Sequence, residues 1–525
     1  MLKLILGGSG SGKTTLLYHR IRTRAEAGQK SILLVPEQFT SSTEGRIYRE
    51  LGDALSGMVE SFSFTSLAEK ILSAEGGSAV QTLSDAGRAV LVRRALEELQ
   101  DNVRYYYRHR RSAAFCQMAA ETIDELKSAG LSGTRLAELA KSCGAESGKL
   151  SELALIFQGY ETLLFRSGMD PADRLELAGA RLEEALAGGE VPGFLRGREV
   201  FIDEFDTFNA PKKRLLGAML AALPSVTVAL CDDGAPLLPG DLSLFSGAKH
   251  VAAQLRQLAR KNGAEVAVPQ LLRKDLRHRN APGLAAVAEL LETGSCTADA
   301  PAGEVRLFAA PSREEEARAA AGAIRRLMRQ GVRCGKIAVV CRDIAKYRAA
   351  VRYEFRMAKI PLYCDEPTTP EFSAPATAVR ALLEIARGAD LTENLTTLAK
   401  TGLCALSEEQ VCALENYAYT WAPTAAAWRE KFERSPKGFG EQELTEEDLR
   451  NRERAEHARA LLVGAVDAFR AKVRGVNAEA ISRAVYFCLK TLGAEEQQAA
   501  QVKAIRAGRG IPAAEEAARE WNVVM

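Results

Sequence analysis

The first fifteen residues, MLKLILGGSGSGKTT, constrain the fold more than any other stretch of the chain. Leu2 to Leu6 is a short apolar run that predicts a buried strand. A helix is predicted from Thr15 to Ala27, and its positive N-terminal end would face anions. The residues between them match the pattern G-x-x-x-x-G-K-[ST], and they are Gly7, Gly8, Ser9, Gly10, Ser11, Gly12, Lys13 and Thr14. A glycine-rich turn formed by chance is the alternative, but the strand before it and the helix after it favour a phosphate-binding loop.

In such a loop, Lys13 is expected to reach the β- and γ-phosphates of a nucleotide, and the Thr14 hydroxyl to hold Mg²⁺. A second apolar strand, from Glu199 to Asp206, carries acids at its end. There Asp203 would orient Mg²⁺, and Glu204 would polarise the attacking water. Strands that end in acids are common, so this prediction depends on the pairing with the phosphate loop. Together the two segments predict a site for ATP and Mg²⁺.

Polar residues also follow the strand predicted from Ser31 to Val35. Gln38 and Thr40 lie just after it, and the carboxyl ends of parallel strands are where ligands bind. These two side chains could contact DNA, or they could cap a helix that begins near Ser42. The sequence leaves both interpretations open.

Residues 82–188 have the pattern of long amphipathic helices, which predicts a helical insertion in the α/β domain. Within it, Arg104, Arg108, Arg110 and Arg111 alternate with three tyrosines and a histidine. Aromatic rings stack on bases and cations neutralise phosphates, so this cluster is a candidate for binding single-stranded DNA. A solvated helix face with tyrosines packed beneath it explains the pattern as well.

A second α/β lobe is predicted after a linker at residues 300–303, and residues from Thr377 onward have a helical pattern. Arg342, just past one of its strands, could reach across a cleft to a nucleotide held by the first lobe. It could equally be a surface residue that caps a strand. The predicted elements of this lobe are strands Glu304 to Ala309, Lys336 to Cys341 and Ile360 to Tyr363, with helices from Ser312 to Arg329 and from Tyr347 to Lys359.

Composition narrows the classes of protein that remain. The chain is 47% apolar and 26% charged, with a net charge of +2, so any basic surface must be local. No apolar run approaches the roughly 18 residues of a membrane span, and the N-terminus does not resemble a signal peptide. We therefore expect a cytoplasmic protein with no membrane contact. The ten cysteines and five histidines have no zinc-type spacing, so Mg²⁺ is the only metal expected.

Two nucleotide-binding lobes with helical insertions resemble the layout of superfamily 1 helicases of the UvrD type. Within that group, the chain is most similar to the B subunit of the AddAB ATP-dependent helicase/deoxyribonuclease. The resemblance covers nearly the whole chain. It rests on the GGSGSGKT loop, on residues 33–40, 61–63 with 67–68, 173–178, and 202–203 with Phe205, and on residues 337–342 with Tyr347 and 360–361, which resemble helicase motif IV.

The resemblance implies an α/β fold with two P-loop (RecA-like) helicase lobes and large helical insertions. The first lobe would comprise residues 1–80 and 196–300 around an insertion at 81–195, and the second lobe, 301–370, would precede an insertion at 371–525. It also implies an AddA-type partner subunit, and single-stranded and duplex-end DNA as substrates. The ending at Trp521 to Met525 has no C-cap and suggests an interrupted chain. Motifs V and VI, and a nuclease domain with an iron–sulfur cluster, would then lie beyond it.

The expected function is the ATP-binding, helicase-like part of a heterodimeric helicase/exonuclease subunit that processes double-strand DNA ends for recombinational repair. B subunits of this family often have no acid at the position of Glu204. The acid in this chain would allow ATP hydrolysis. A DNA-binding scaffold that is stabilised by ATP without hydrolysing it is the alternative. A stand-alone P-loop ATPase or kinase is a further one.

Overall fold

The computed structural model describes residues 1–74, 82–295, 302–364, 370–440 and 443–525. The chain forms two compact units, Met1–Phe308 and Ala309–Met525. Of the linker predicted at residues 300–303, the first two lie outside the described residues. Among the described helices, none has both the length and the apolar character needed to cross a membrane.

The first unit is built on a six-stranded sheet in the order β3-β2-β4-β5-β1-β6, and its strand pairs are parallel. This order places the end of β1 between β5 and β6. In register, Gly7 lies beside Cys231 on one side and Leu272 on the other. The strands are β1 Leu2–Gly7, β2 Ser31–Leu34, β3 Val59–Phe62, β4 Glu199–Ile202, β5 Val226–Cys231 and β6 Gln270–Leu272.

Apolar side chains cover both faces of the sheet. Leu4 and Leu6 of β1 belong to the core on one face, and Ile5 belongs to the core on the other. This alternation is the two-residue period of a strand, and burial on both faces explains the continuous apolar runs. The helices of this unit are α1 Lys13–Glu26, α2 Thr40–Leu51, α3 Asp53–Ser56, α4 Phe64–Ala74, α5 Asp85–Glu98, α6 Ala113–Ser128, α7 Gly133–Ala140, α8 Ser147–Ser167, α9 Pro171–Ala187, α10 Ala210–Ala222, α11 Ser246–Lys261 and α12 Pro282–Thr293.

The chain segment that connects β3 to β4 includes helices α5 to α8. These helices enclose a separate apolar core, with Phe157 and Tyr160 at its centre. A buried polar network joins this core to α9. The Lys127 ammonium lies 2.8 Å from Asp170 Oδ2 and from Asp173 Oδ2, and the Tyr160 hydroxyl donates to Asp170 Oδ1 at 2.7 Å. Because Asp170 is only 1% exposed, each of its partners is needed to offset the cost of burying its charge.

Among the described residues of the second unit, all regular secondary structure is helical. Helices α13 and α14 share a small core that includes Ile324 and Phe355, and the remaining helices surround a larger one with Trp428 fully buried. The helix predicted after Ser312 is confirmed, with the Ser312 hydroxyl accepting from the Glu315 N–H. The helices are α13 Arg313–Arg329, α14 Ile344–Met357, α15 Ala374–Ala386, α16 Leu391–Lys400, α17 Glu408–Trp421, α18 Glu446–Lys472, α19 Ala478–Thr491, α20 Ala494–Arg509 and α21 Ile511–Val524.

The three strands predicted at 304–309, 336–341 and 360–363 are wrong, since these segments are 3₁₀ turns or irregular. Among the described residues none of them has a neighbouring strand to pair with, and a strand requires one for its backbone hydrogen bonds. Leu307 and Val340 are 101% and 91% exposed. The α/β class is therefore confirmed by the sheet of the first unit. A second P-loop (RecA-like) lobe stays a prediction.

Candidate nucleotide-binding site

The phosphate loop connects β1 to α1. Gly10 and Gly12 have φ angles of 77° and 89°, a left-handed conformation that favours glycine. Lys13 begins α1, and its Nζ donates to the carbonyl oxygens of Gly7 at 2.8 Å and Gly8 at 2.7 Å. The Ser11 hydroxyl is buried and has no hydrogen-bond partner among the described residues. The loop thus presents a positive charge and an unpaired polar group, both suited to phosphate oxygens.

The predicted acids lie at the carboxyl end of β4. Asp203 is 6% exposed, and its carboxylate accepts a hydrogen bond from the Glu204 N–H at 3.0 Å. The Thr14 hydroxyl lies close enough to lower the pKa of this carboxyl. Glu204 has a φ of 65°, which is rare for a residue with a side chain. Such backbone strain is concentrated at functional sites. The structure therefore brings Thr14 and Asp203 close to each other at the carboxyl end of β4.

Burial raises the pKa of the Asp203 carboxyl, while the hydrogen bonds and the charges of Arg46 and Lys13 act in the opposite direction. Burial, together with the neighbouring Asp203, also raises the pKa of Glu204. Arg46, from α2, lies 4.9 Å from the ring centroid of Tyr18 and is the cation that offsets both carboxylates.

Mg²⁺, which the phosphate loop implies, fits this pair of side chains. A hydroxyl and a carboxylate are hard oxygen ligands, and Mg²⁺ in nucleotide sites is typically held by one or two protein oxygens together with the phosphates. Thr14 and Asp203 would supply those two oxygens.

Sequence reasoning missed the segment that follows β6, residues 273–279 (RKDLRHR). The Leu276 N–H donates to the Gly10 carbonyl at 3.0 Å, and Arg277 Nη1 donates to Ser9 Oγ at 3.2 Å. The Asp275 carboxylate accepts from the Arg277 N–H at 3.0 Å and so holds the turn in place. Arg277 is thus a second cation at the phosphate loop, in addition to Lys13. A charged run directly after a short apolar one could have indicated it, but β6 has only three residues.

Sequence reasoning also missed Glu292, near the end of α12. A β-carbon built on Gly8 would lie 2.6 Å from Glu292 Oε1. The carboxylate therefore stands directly against the phosphate loop.

The other predicted site residues lie elsewhere. Arg342 belongs to the second unit and is exposed in the turn before α14, so its proposed role stays a prediction. Gln38 is exposed in a 3₁₀ turn after β2. Thr40 begins α2, and its hydroxyl donates to the Glu37 carbonyl at 2.8 Å, which supports a local structural role. DNA contact by either residue stays a prediction.

The arginine-tyrosine cluster forms a loop between α5 and α6 rather than a helix face. The buried carboxylate of Glu152 anchors it by accepting from the backbone N–H groups of Arg104 at 2.9 Å and Tyr105 at 2.8 Å. The guanidinium of Arg110 lies 3.9 Å from the ring centroid of Tyr107. Tyr105 is 56% exposed.

The charges of this loop are not neutralised locally. Arg104, Arg108 and Arg111 are exposed, and Arg110 is half-buried. In the described part of the chain, no carboxylate forms an ion pair with any of the four. The loop is thus a fixed, positively charged surface with an exposed aromatic ring.

Comparison with known proteins shows which family shares these features. A family model described as "ADDB, N-terminal" matches residues 4–288. Proteins named as the B subunit of an ATP-dependent helicase/deoxyribonuclease, from Symbiobacterium thermophilum and Desulforudis audaxviator, are each 32% identical, over 82% and 81% of this chain. The Moorella thermoacetica protein of the same name is 29% identical over 100% of it. These matches cover 38%, 37% and 46% of the respective relatives, so the chain spans less than half of their length.

Proposed function

Because this chain belongs to the AddB N-terminal family, we propose that it is the ATP-binding, helicase-like part of a subunit that processes double-strand DNA ends for recombinational repair. The relatives that it matches are named as B subunits of an ATP-dependent helicase/deoxyribonuclease. On this proposal, the chain acts in a heterodimer with an AddA-type subunit. One observation carries the nucleotide part of the proposal: the phosphate loop, the Thr14–Asp203 pair and Arg277 all meet at one edge of the sheet.

Each residue at this edge has a proposed task. Lys13 and Arg277 neutralise the terminal phosphates, and Ser11 donates its unpaired hydroxyl to a phosphate oxygen. Thr14 and Asp203 hold Mg²⁺, which withdraws charge from the β- and γ-phosphates when bound. Glu204 accepts the proton of the attacking water if ATP is hydrolysed. For Arg342, contact with the nucleotide stays a prediction from the sequence.

The DNA part of the proposal depends on the loop from Arg104 to Arg111, with Gln38 and Thr40 as further candidates. Cations without a local partner and an exposed ring are the groups that single-stranded DNA uses. Glu152 anchors the backbone at the start of this loop, which lowers the loss of backbone freedom that DNA binding would cost there.

Nucleotide affinity tests the proposal directly. In a titration with a fluorescent ATP analogue and Mg²⁺, we expect Lys13→Ala and Arg277→Ala each to weaken binding about 10- to 100-fold, the value of one charged hydrogen bond. Lys30→Ala, a loss of an exposed lysine between α1 and β2, should bind like the unmodified protein. A chain that binds no nucleotide, or a Lys13→Ala variant with full affinity, would refute the nucleotide site.

The same variants separate hydrolysis from binding. Glu204→Gln should keep nucleotide affinity and lose ATP turnover in the complex with the partner subunit and DNA. Unchanged turnover would favour the ATP-stabilised scaffold.

A further inference from the structure

The C-terminal end of α12 brings negative charge to a loop built for anions. Glu292 Oε1 would lie 2.6 Å from a β-carbon on Gly8, and the Gly8 carbonyl accepts from Lys13 Nζ at 2.7 Å. The last carbonyl groups of α12 add the negative end of a helix dipole at the same place. The phosphate loop therefore faces two helix ends of opposite effect. The N-terminus of α1 favours a bound anion, and the C-terminus of α12 disfavours one.

A neighbouring thiol supports this placement. Cys231 ends β5 beside Gly7, and burial raises its pKa. Lys13 lowers that pKa and Glu292 raises it, so both charges act at the carboxyl end of β5. This is the end of the site where Lys13 is expected to meet the β- and γ-phosphates.

Helix α12 is only lightly held. Gly283 is its one buried residue among those described. Its leucines are exposed, with Leu290 at 49% and Leu291 at 67%. Gly294 ends the helix in a left-handed conformation with φ of 77°. Because little apolar area is buried, moving the last turn of α12 costs little free energy.

We propose that Glu292 sets the relative affinity of this site for nucleoside triphosphate and diphosphate. Its carboxylate repels the terminal phosphate, so a triphosphate binds by displacing the last turn of α12, and a diphosphate binds without doing so. This inference rests on the proposed nucleotide site. It adds a determinant of selectivity and a movement at the end of α12 that depends on the nucleotide.

The test compares two probes, the non-hydrolysable analogue AMP-PNP and ADP, each with Mg²⁺. Glu292→Gln keeps the size of the side chain and removes its charge. We expect this variant to bind AMP-PNP about three- to tenfold more tightly than the unmodified protein does, and its affinity for ADP to change by less than about twofold. Both changes in affinity should become smaller at high salt. Glu190→Gln, which removes an exposed carboxylate between α9 and β4, is the matched control and should change neither affinity.

Hydrogen exchange on the unmodified protein gives an independent readout. AMP-PNP should speed exchange of the backbone amides near residues 289–293, and ADP should not. If the unmodified chain binds no nucleotide, the proposed site itself fails. If Lys13→Ala abolishes binding but the AMP-PNP to ADP ratio is unchanged in Glu292→Gln, or if that variant binds AMP-PNP more weakly, only the inference about Glu292 is overturned.

Discussion

At the scale of single residues, Asp203 is placed for function at a cost to stability. Its carboxylate is almost fully buried, and the residue after it has a strained backbone. The Thr14 hydroxyl and the Glu204 N–H offset part of the cost of burial. Oxygens held in this way are ready to bind Mg²⁺, so the strain and the charge are retained for the site rather than for the fold.

The pH dependence of stability follows from the raised pKa of Asp203. A carboxyl with a folded-state pKa above its unfolded value favours the folded state at a pH below the unfolded value, near 3.9, and loses that contribution as pH rises through the folded-state value. At pH 7 the ionised group is therefore a cost. We expect Asp203→Asn to melt about 2–4 °C higher at pH 7, the shift that ~1 kcal/mol produces, and the difference to vanish near pH 4.

Thermal melts across this pH range, without Mg²⁺ or nucleotide, provide the measurement. Asp206→Asn, an exposed acid in the same loop, is the control and should leave the melting temperature nearly constant. An Asp203→Asn variant that is less stable at pH 7 would mean that the accepted hydrogen bonds outweigh the cost of the buried charge.

At the scale of elements, the loop between α5 and α6 shows how a buried acid can organise exposed cations. Glu152 accepts from three backbone N–H groups at the start of the loop. Near the middle of the loop, the Tyr106 ring stacks on the Phe115 ring with their centroids 5.6 Å apart. Three arginines remain exposed to solvent. The element therefore combines a backbone anchored at its start with solvated charges.

Replacing Arg104, Arg108 and Arg111 with Gln should flatten the dependence of single-stranded DNA affinity on salt. At about 0.7 per phosphate contact, the slope of log affinity against log salt should fall by up to about two units. Fluorescence anisotropy with a labelled oligonucleotide at several salt concentrations measures it. The matched control replaces Arg93, Arg94 and Arg135 with Gln, because each of these is ion-paired within its own helix. Equal slopes for the two triple variants would indicate an ordinary solvated surface.

At the scale of the whole molecule, the two compact units have separate cores. The apolar clusters around the sheet and within α5 to α8 lie in residues 1–308, and those of α13 to α21 lie in residues 309–525. Each unit thus buries its own apolar surface, which is what independent folding requires.

We expect a fragment of residues 1–308 to unfold cooperatively and to bind the ATP analogue within about threefold of the full chain, since the phosphate loop, Asp203 and Arg277 all lie inside it. Calorimetry and the same fluorescence titration check this. The Lys13→Ala fragment is the control. A fragment that lacks a cooperative transition would show that the first unit depends on the second for its stability.

Much of the first unit could be predicted from the sequence, because its determinants are local. The sequence predicted β1, β2 and β4 to within a few residues, because a buried parallel strand is a continuous apolar run. The phosphate loop and the cap at Ser312 depend on neighbouring residues in the chain. Strand β6 was missed because three residues are too few for a recognisable pattern.

Residues adjacent in the chain are enough to predict the phosphate loop, the acids after β4 and the apolar runs that form the sheet. Arg277 and Glu292 face that loop from more than 260 positions away, and this placement follows from the folded chain, because strand order puts β6 beside β1. The fold also leaves the apolar segments of the second unit without strand structure among the described residues. A strand exists only where another strand completes its hydrogen bonds, and no local pattern supplies that partner.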